Sequence, residues 1–181
     1  MNSIDSLQEL IQQLSESFKD NYNSVLQNFL IDKQSFSKFE HWSEEKYIRN
    51  GIYKDERFEI ILLCWEKGQK TPIHCHGGEE CWVYLLKGEI EEVFYVKDGQ
   101  GNPIKTTSKK LHVSNSSYIN DTIGFHSMRN SFDGRSLSLH IYAKPILECR
   151  FYDENEQEFK KKKMVYDTFN EEYYSVPKAL V

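Results

Sequence analysis

The chain has 181 residues, of which 39% are hydrophobic and 28% charged, and its formal net charge is −5. This length suits one compact domain with a sizeable core, and the composition excludes a disordered chain. The acidic balance, without a dominant basic face, argues against nucleic acid as a partner.

The N-terminal segment does not resemble a secretory signal. Acidic residues are spread through the first 30 positions, and no basic segment precedes an apolar run. No apolar run in the chain has the length of a membrane span. We therefore expect a cytoplasmic protein with no membrane partner. The chain has four cysteines, Cys64, Cys75, Cys81 and Cys149. In that reducing compartment we expect them to stay free of disulfides. No two of them have the CxxC spacing typical of a structural zinc site.

The opening segment has the periodicity of an amphipathic helix. Apolar residues recur at three- and four-residue steps: Ile4, Leu7, Ile11, Leu14 and Phe18. Ser3 is the expected N-cap of this helix. Two further short helices are expected over residues 25–30 and 34–42. Residues 1–44 are thus predicted to be a helical flank that packs on a sheet.

From about Lys46 the apolar pattern changes to one typical of strands. The expected strands, separated by polar or glycine-containing turns, cover residues 58–65, 81–86, 89–96, 117–119, 125–128 and 137–142. Many short strands at this spacing predict a sandwich or a barrel. The lysine run 160–163 follows an acidic stretch, and we expect it to form a solvated hairpin edge rather than a nucleic-acid contact.

Histidines in strand-like settings are the candidates for a site. His74 and His76 lie one residue apart, so in an extended segment they share a face and could bind a divalent metal, although this spacing is also common by chance. The strand 137–142 has its polar residues on one face: Ser138, His140 and Tyr142. That face either meets water or points into a barrel, where a polar network around a site would satisfy it. His41 and His112 are expected to be surface histidines.

Several positions match the spacing of the first cupin motif: Gly68, His74, His76, Cys81 and Gly88. Cys81 stands where most cupins place a glutamate ligand. The segment from His126 to Asn130 resembles the second cupin motif and would supply another histidine. A metal face of three histidines, without the glutamate, resembles that of the thiol dioxygenases.

Further segments carry a resemblance to the cysteine dioxygenase family of the cupin superfamily: 47–50, 62–65, 118–126, 138–142 and Cys149. The resemblance covers roughly residues 45–170 in order. It implies a mostly β cupin fold, a small jelly-roll β-barrel over 45–170 with the α-helices of 1–44 packed outside. Residues 171–181 would be a C-terminal tail, and 1–181 one domain.

The resemblance implies one Fe(2+) per chain, held by His74, His76 and His126. The implied reaction is the oxidation of L-cysteine by O2 to cysteine sulfinate, in cysteine catabolism. Three neutral imidazoles suit a substrate that brings its own anion, whereas most related oxygenases use two histidines and a carboxylate. Two alternatives remain: a dioxygenase for another small thiol such as 3-mercaptopropionate, or a non-catalytic metal-binding cupin sensor. We expect a monomer or a weak dimer.

The resemblance also implies catalytic and substrate-binding residues. Arg49 would pair with the substrate carboxylate, supported by Tyr47, and arginine at this position favours cysteine over 3-mercaptopropionate. Tyr142 would contact the substrate and place its hydroxyl beside the iron, oriented through His140 and Ser138. Cys81 and Tyr142 match a pair that forms a thioether cross-link in animal members, so the same cross-link is possible here.

Overall fold

The N-terminal region is helical, as its apolar periodicity predicts. The computed structural model describes residues 3–170. It begins with helices α1 (Leu7–Glu16) and α2 (Tyr22–Leu26) and with 3-10 helices at Lys19–Asn21 and Lys33–Phe39. No helix within the described residues is long and apolar enough to cross a membrane.

The predicted start of the first helix is wrong. Ser6, not Ser3, is the N-cap of α1, and its Oγ accepts the backbone N–H of Glu9 at 3.1 Å. Ile4 precedes the helix because its backbone forms an isolated parallel bridge with Phe29. This bridge ties the start of the chain to the end of the helical region, and the side chain of Ile4 is buried without being helical.

Three other helical expectations fail at element ends. The expected helix over 34–42 is the shorter 3-10 helix Lys33–Phe39. Phe18 is 80% exposed because α1 ends before it, at the extended C-cap residue Ser17. Leu30 is also exposed, since α2 ends at Leu26 and the chain then leaves the helical periodicity.

Strands follow from residue 48 onward. Within residues 3–170 they are β1 (Ile48–Lys54), β2 (Glu59–Trp65), β3 (Cys81–Lys87), β4 (Glu89–Lys97), β5 (Pro103–His112), β6 (Ser116–Ile119), β7 (Phe125–Asn130), β8 (Ser136–Tyr142), β9 (Glu148–Asp153), β10 (Glu158–Lys163) and β11 (Thr168–Phe169). The sequence prediction named no strand at β1, β5, β9 or β11. It missed β5 because this strand is exposed along most of its length and lacks apolar alternation. The lysine run forms β10, which pairs with β9 in the expected hairpin.

The strands form two layers. A six-stranded sheet has the order β11-β1-β2-β8-β3-β6, antiparallel except for the β1–β11 pair. The second layer contains the sheet β5-β4-β7 and the hairpin β9–β10. The extended segment 70–76 joins these two parts, because it bridges β7 at Lys70 and His74 and bridges β9 at His74.

Two apolar clusters hold the layers together. One lies between the helices and the outer face of the six-stranded sheet, and it includes Leu137, Leu139 and Ile141 of β8. The other fills the space between the two layers. The polar residues of β8 therefore point into the barrel, as one of the two readings of its alternation predicts. This is the mostly β jelly roll with helices outside that the sequence predicts, and the expected tail 171–181 lies outside the described residues.

Candidate metal centre and substrate pocket

Three histidines converge inside the barrel at the junction of segment 70–76 with β7. The backbones of His74 and His126 exchange two hydrogen bonds, of 2.9 and 3.0 Å, which fixes the two side chains next to each other. His76 follows on the same face. One ring nitrogen from each of the three lies within 4.8 Å of the others. His76 and His126 are buried and His74 is partly buried, so the group forms a half-enclosed cluster of ligand atoms.

The hydrogen bonds of the rings show that this cluster fits a cation. His74 Nδ1 lies 3.0 Å from the carbonyl oxygen of Pro72, and His126 Nδ1 lies 2.7 Å from a carboxylate oxygen of Glu92. Since both partners are acceptors, each Nδ1 carries the proton and each Nε2 keeps its lone pair. The two Nε2 atoms are nevertheless only 3.2 Å apart. Metal–nitrogen bonds of about 2.1 Å at right angles place two ligand atoms about 3 Å apart, so a metal ion would satisfy both.

His76 gives the same indication. Its buried Nδ1 has no hydrogen-bond partner among the described residues. Burial and, after it, the neighbouring His126 together lower the pKa of His74 to about 3. Burial and the other histidines likewise hold the pKa of His76 well below its ordinary range. These imidazoles are therefore neutral at physiological pH, which is the state that binds a metal.

Glu92 of β4, which the sequence prediction missed, lies behind His126. It is fully buried and accepts hydrogen bonds from the hydroxyl of Ser117 at 2.6 Å and from His126 Nδ1 at 2.7 Å. Lys109 Nζ lies 3.4 Å from it. Burial raises the pKa of Glu92, but these three partners outweigh burial and leave the pKa below its ordinary value. The ionised carboxylate fixes the ring orientation and tautomer of His126 and makes it a stronger ligand.

Asp121, also missed, holds the turn that follows the His-x-His pair. Its two carboxylate oxygens accept the backbone N–H groups of His76 and Gly78, each at 2.8 Å. Gly77 is required in this turn: its φ is +65°, and a Cβ there would lie 2.6 Å from the carbonyl oxygen of Glu148. The carboxylate thus fixes the backbone of one ligand directly.

A cavity beside His74 contains the predicted substrate-binding residues. Tyr47, Arg49, His140 and Tyr142 all line it. Arg49 is partly buried, and its Nε donates to the carbonyl oxygen of Val165 at 3.2 Å. Its side chain also hydrogen-bonds Tyr142. The structure therefore brings a guanidinium, two tyrosines and one member of the histidine cluster, His74, to one cavity.

The charge of Arg49 is maintained in this setting. Burial lowers the pKa of the guanidinium, but Tyr142, Tyr47 and the buried carboxylate of Glu59 act in the opposite direction and raise it overall. Glu59 lies behind the cavity wall, where it accepts the backbone N–H of Ile146 at 3.0 Å and the hydroxyl of Tyr166. A permanent positive charge thus faces the cavity.

Cys81 and Tyr142 are neighbours in the six-stranded sheet. They are directly opposite partners of the antiparallel strands β3 and β8, so their side chains lie on the same, inward face. Both are buried, and Tyr142 interacts with the Cys81 thiol, whose Sγ also lies 3.8 Å from the carbonyl oxygen of Trp82. Burial raises the pKa of both groups well above their ordinary values. The thiol and the phenol are therefore neutral and in contact.

A hydrogen-bond chain reaches His140 from the barrel wall. Trp65 Nε1 donates to Ser138 Oγ at 2.9 Å, and Ser138 Oγ lies 2.9 Å from His140 Nε2. The ring of Tyr47 stacks on Trp65 with centroids 4.8 Å apart. The rings of His140 and Tyr142 are nearly parallel, with centroids 6.2 Å apart. The chain fixes His140, and Trp65 is a member that the sequence prediction did not include.

Comparison with known proteins identifies the family. The family model "Cysteine dioxygenase type I" matches residues 1–155. Cysteine dioxygenase type 1 of Danio rerio is 28% identical over 163 residues, which cover 83% of this chain and 80% of the relative. The Rattus norvegicus protein of the same name is 29% identical, over 82% and 80% of the two chains. A crystal structure of a Klebsiella pneumoniae protein with a double-stranded β-helix domain superposes with a TM-score of 0.50 at 18% identity, over 61% of this chain and 82% of that one, and supports the fold. The chain belongs to the cysteine dioxygenase type I family, as the cupin-like motifs around His74 and His126 predict.

Proposed function

We propose that this protein is an iron(II)-dependent dioxygenase that converts L-cysteine and O2 into cysteine sulfinate. The observation that carries the proposal is the three-histidine cluster, which has no carboxylate among its ligand atoms and adjoins a cavity lined by Arg49. Three neutral ligands leave the charge of a divalent ion uncompensated. A thiolate with a second anionic group is the kind of substrate that such a site favours.

His74, His76 and His126 would hold one Fe(2+) per chain. When bound, the iron would supply electrons to dioxygen and lower the pKa of the substrate thiol. Glu92 and Asp121 would keep two of the ligands in position through the hydrogen bonds that they accept. The protein thereby contributes a preorganised set of neutral imidazoles.

Arg49 would orient the substrate by pairing with its carboxylate. The guanidinium offers parallel N–H donors that match a carboxylate, which a lysine cannot do. Tyr142 would donate its hydroxyl next to the reacting sulfur, since burial keeps it protonated and Arg49 fixes its position. His140, held by Ser138, would form the adjacent wall. These side chains would thus line one side of the bound thiol.

The Cys81–Tyr142 contact supports a thioether cross-link in the mature enzyme. Its formation would join the cysteine sulfur to a ring carbon of the tyrosine with loss of two hydrogens, for which dioxygen is the oxidant. We also propose a cytoplasmic enzyme that acts as a monomer or weak dimer. All four cysteines within the described residues are free thiols, which is typical of a reducing compartment.

Oxygen uptake by the iron-loaded protein tests the proposal. L-Cysteine, 3-mercaptopropionate and cysteamine would be compared, and the product mass should exceed that of cysteine by two oxygen atoms. We expect L-cysteine to have the highest kcat/KM. Arg49→Gln should lower it by about 10- to 100-fold, the value of a lost charged hydrogen bond, and should affect cysteamine least because it has no carboxylate.

The same experiment separates the alternatives. A preference for 3-mercaptopropionate would change the substrate and keep the reaction, whereas a preference for cysteamine would contradict the role of Arg49. No uptake by fully iron-loaded protein would favour a metal-binding sensor. His126→Ala serves as the matched negative control, since it removes a ligand on β7 and leaves the cavity residues in place.

A further inference from the structure

The substrate cavity has a second cation. Its lining includes Lys162 of β10 in addition to Arg49, and no acidic side chain lines it among the described residues. Lys162 is the direct partner of Cys149 in the β9–β10 hairpin, and Cys149 and Met164 both line the same cavity. The positive charge of Lys162 acts on the Cys149 thiol. Lys162 is exposed, so it forms a part of the cavity wall that reaches the protein surface.

Lys162 differs from the preceding lysines of its run. Lys160 forms an ion pair with Asp153 at 3.1 Å, and Lys161 forms one with Glu148 at 3.0 Å. Lys162 has no acidic partner within the described residues. Because side chains alternate along a strand, Lys162 and Met164 share the face toward the cavity while Lys161 and Lys163 take the other. Lys163 also has no acidic partner within the described residues, but it lies on the opposite face of β10, whereas Lys162 lines the cavity.

We propose that Lys162 is a specificity-determining residue that attracts anionic thiols into the cavity before Arg49 binds their carboxylate. This inference rests on the proposed function and adds a selection by charge at the mouth of the same site. Two unit charges several ångströms apart near a protein surface attract each other enough to change affinity about three- to tenfold. A thiol with two carboxylates, such as mercaptosuccinate, should gain most, and a cationic thiol such as cysteamine should be repelled.

Steady-state kinetics of Lys162→Gln against a matched control test this role. The control is Lys163→Gln, which removes the same charge from the other face of β10. We expect Lys162→Gln to raise KM for the net anion 3-mercaptopropionate about three- to tenfold with kcat within about twofold, to change KM for zwitterionic L-cysteine less, and to weaken the dependence of KM on ionic strength. KM for mercaptosuccinate should rise more, KM for cysteamine should not rise, and Lys162→Arg should restore the wild-type values.

Equal KM values for Lys162→Gln and Lys163→Gln would overturn the proposal, as would a change confined to kcat. Binding measured without turnover separates this result from the proposed function. In an anaerobic titration of iron-loaded protein with 3-mercaptopropionate, a dissociation constant that rises for Lys162→Gln and not for Lys163→Gln supports the role of Lys162 even if oxygen uptake is absent. Identical binding by the two variants refutes the role even if the enzyme is active.

Discussion

Replacing Glu92 by glutamine should weaken metal binding without touching a ligand. The carboxylate accepts short hydrogen bonds from Ser117 and His126, at 2.6 and 2.7 Å, in a fully buried position. Glutamine keeps the shape and one acceptor but removes the charge that strengthens the bond to His126. Hydrogen bonds to charged groups contribute about 1.5–3 kcal/mol. This corresponds to a rise of about 10- to 100-fold in the dissociation constant of the metal.

Competition with a chelator of known affinity under anaerobic conditions measures that constant for iron(II). Glu91→Gln is the matched control. Glu91 directly precedes Glu92 on β4 and is the register partner of Lys110 on β5, so its side chain lies on the face of the strand opposite to the histidines. Thermal unfolding of the metal-free variants reports whether each still folds. If Glu92→Gln folds and binds iron within about twofold of wild type, the carboxylate does not tune His126, and the reasoning from its hydrogen bonds is refuted.

Three further predictions concern the cross-link, the turn and pH. If the Cys81–Tyr142 cross-link forms during turnover, the intact mass of the protein should fall by the mass of about two hydrogens. Tyr142→Phe should abolish this change. If no lighter species is seen after turnover, Cys81 is excluded from the site. Asp121→Ala should raise the metal dissociation constant about tenfold because two backbone N–H groups lose their acceptor; a metal titration that matches wild type would show that other contacts hold the turn. In the folded protein, burial holds the pKa of His76 and of His140 well below 6.5. Below pH 6.5 the unfolded chain therefore binds more protons than the folded chain. Urea unfolding of metal-free protein should therefore show the free energy of unfolding falling below pH 6.5, by about 1.4 kcal/mol per pH unit for each histidine, and a pH-independent value would contradict this.

The strand faces of the site could be predicted because their period is two. Alternation in β8 places Ser138, His140 and Tyr142 on one face, and the structure confirms that this face is inward. The same rule could have found Glu92, which lies on the same face of β4 as the buried residues Ile90 and Phe94. A carboxylate on the apolar face of a strand is buried and therefore needs a hydrogen-bond or ion-pair partner. Its position thus indicates a polar contact inside the barrel.

Other parts of the site depend on contacts between distant segments. The pairing of segment 70–76 with β7 brings His74 to His126, and nothing in either segment's own periodicity specifies that partner. Resemblance to the cupin motifs supplied it instead. Asp121 caps a turn 43 residues before it in sequence, and Lys162 faces the cavity because of the register of its hairpin with Cys149. Local sequence contains neither relation.

Among residues 3–170 no carboxylate belongs to the cluster of ligand atoms, so negative charge lies farther from the metal position. Cys81 occupies the position where a glutamate ligand would be expected, and it contacts Tyr142. The carboxylate of Glu92 acts only through the ring of His126. Arg49 and Lys162 then add positive charge to the cavity. A bound divalent ion and these two cations together favour a substrate with both a thiolate and a carboxylate. Because binding free energies are reciprocally linked, a thiol that binds the metal-loaded site more tightly must also tighten metal binding by the same factor.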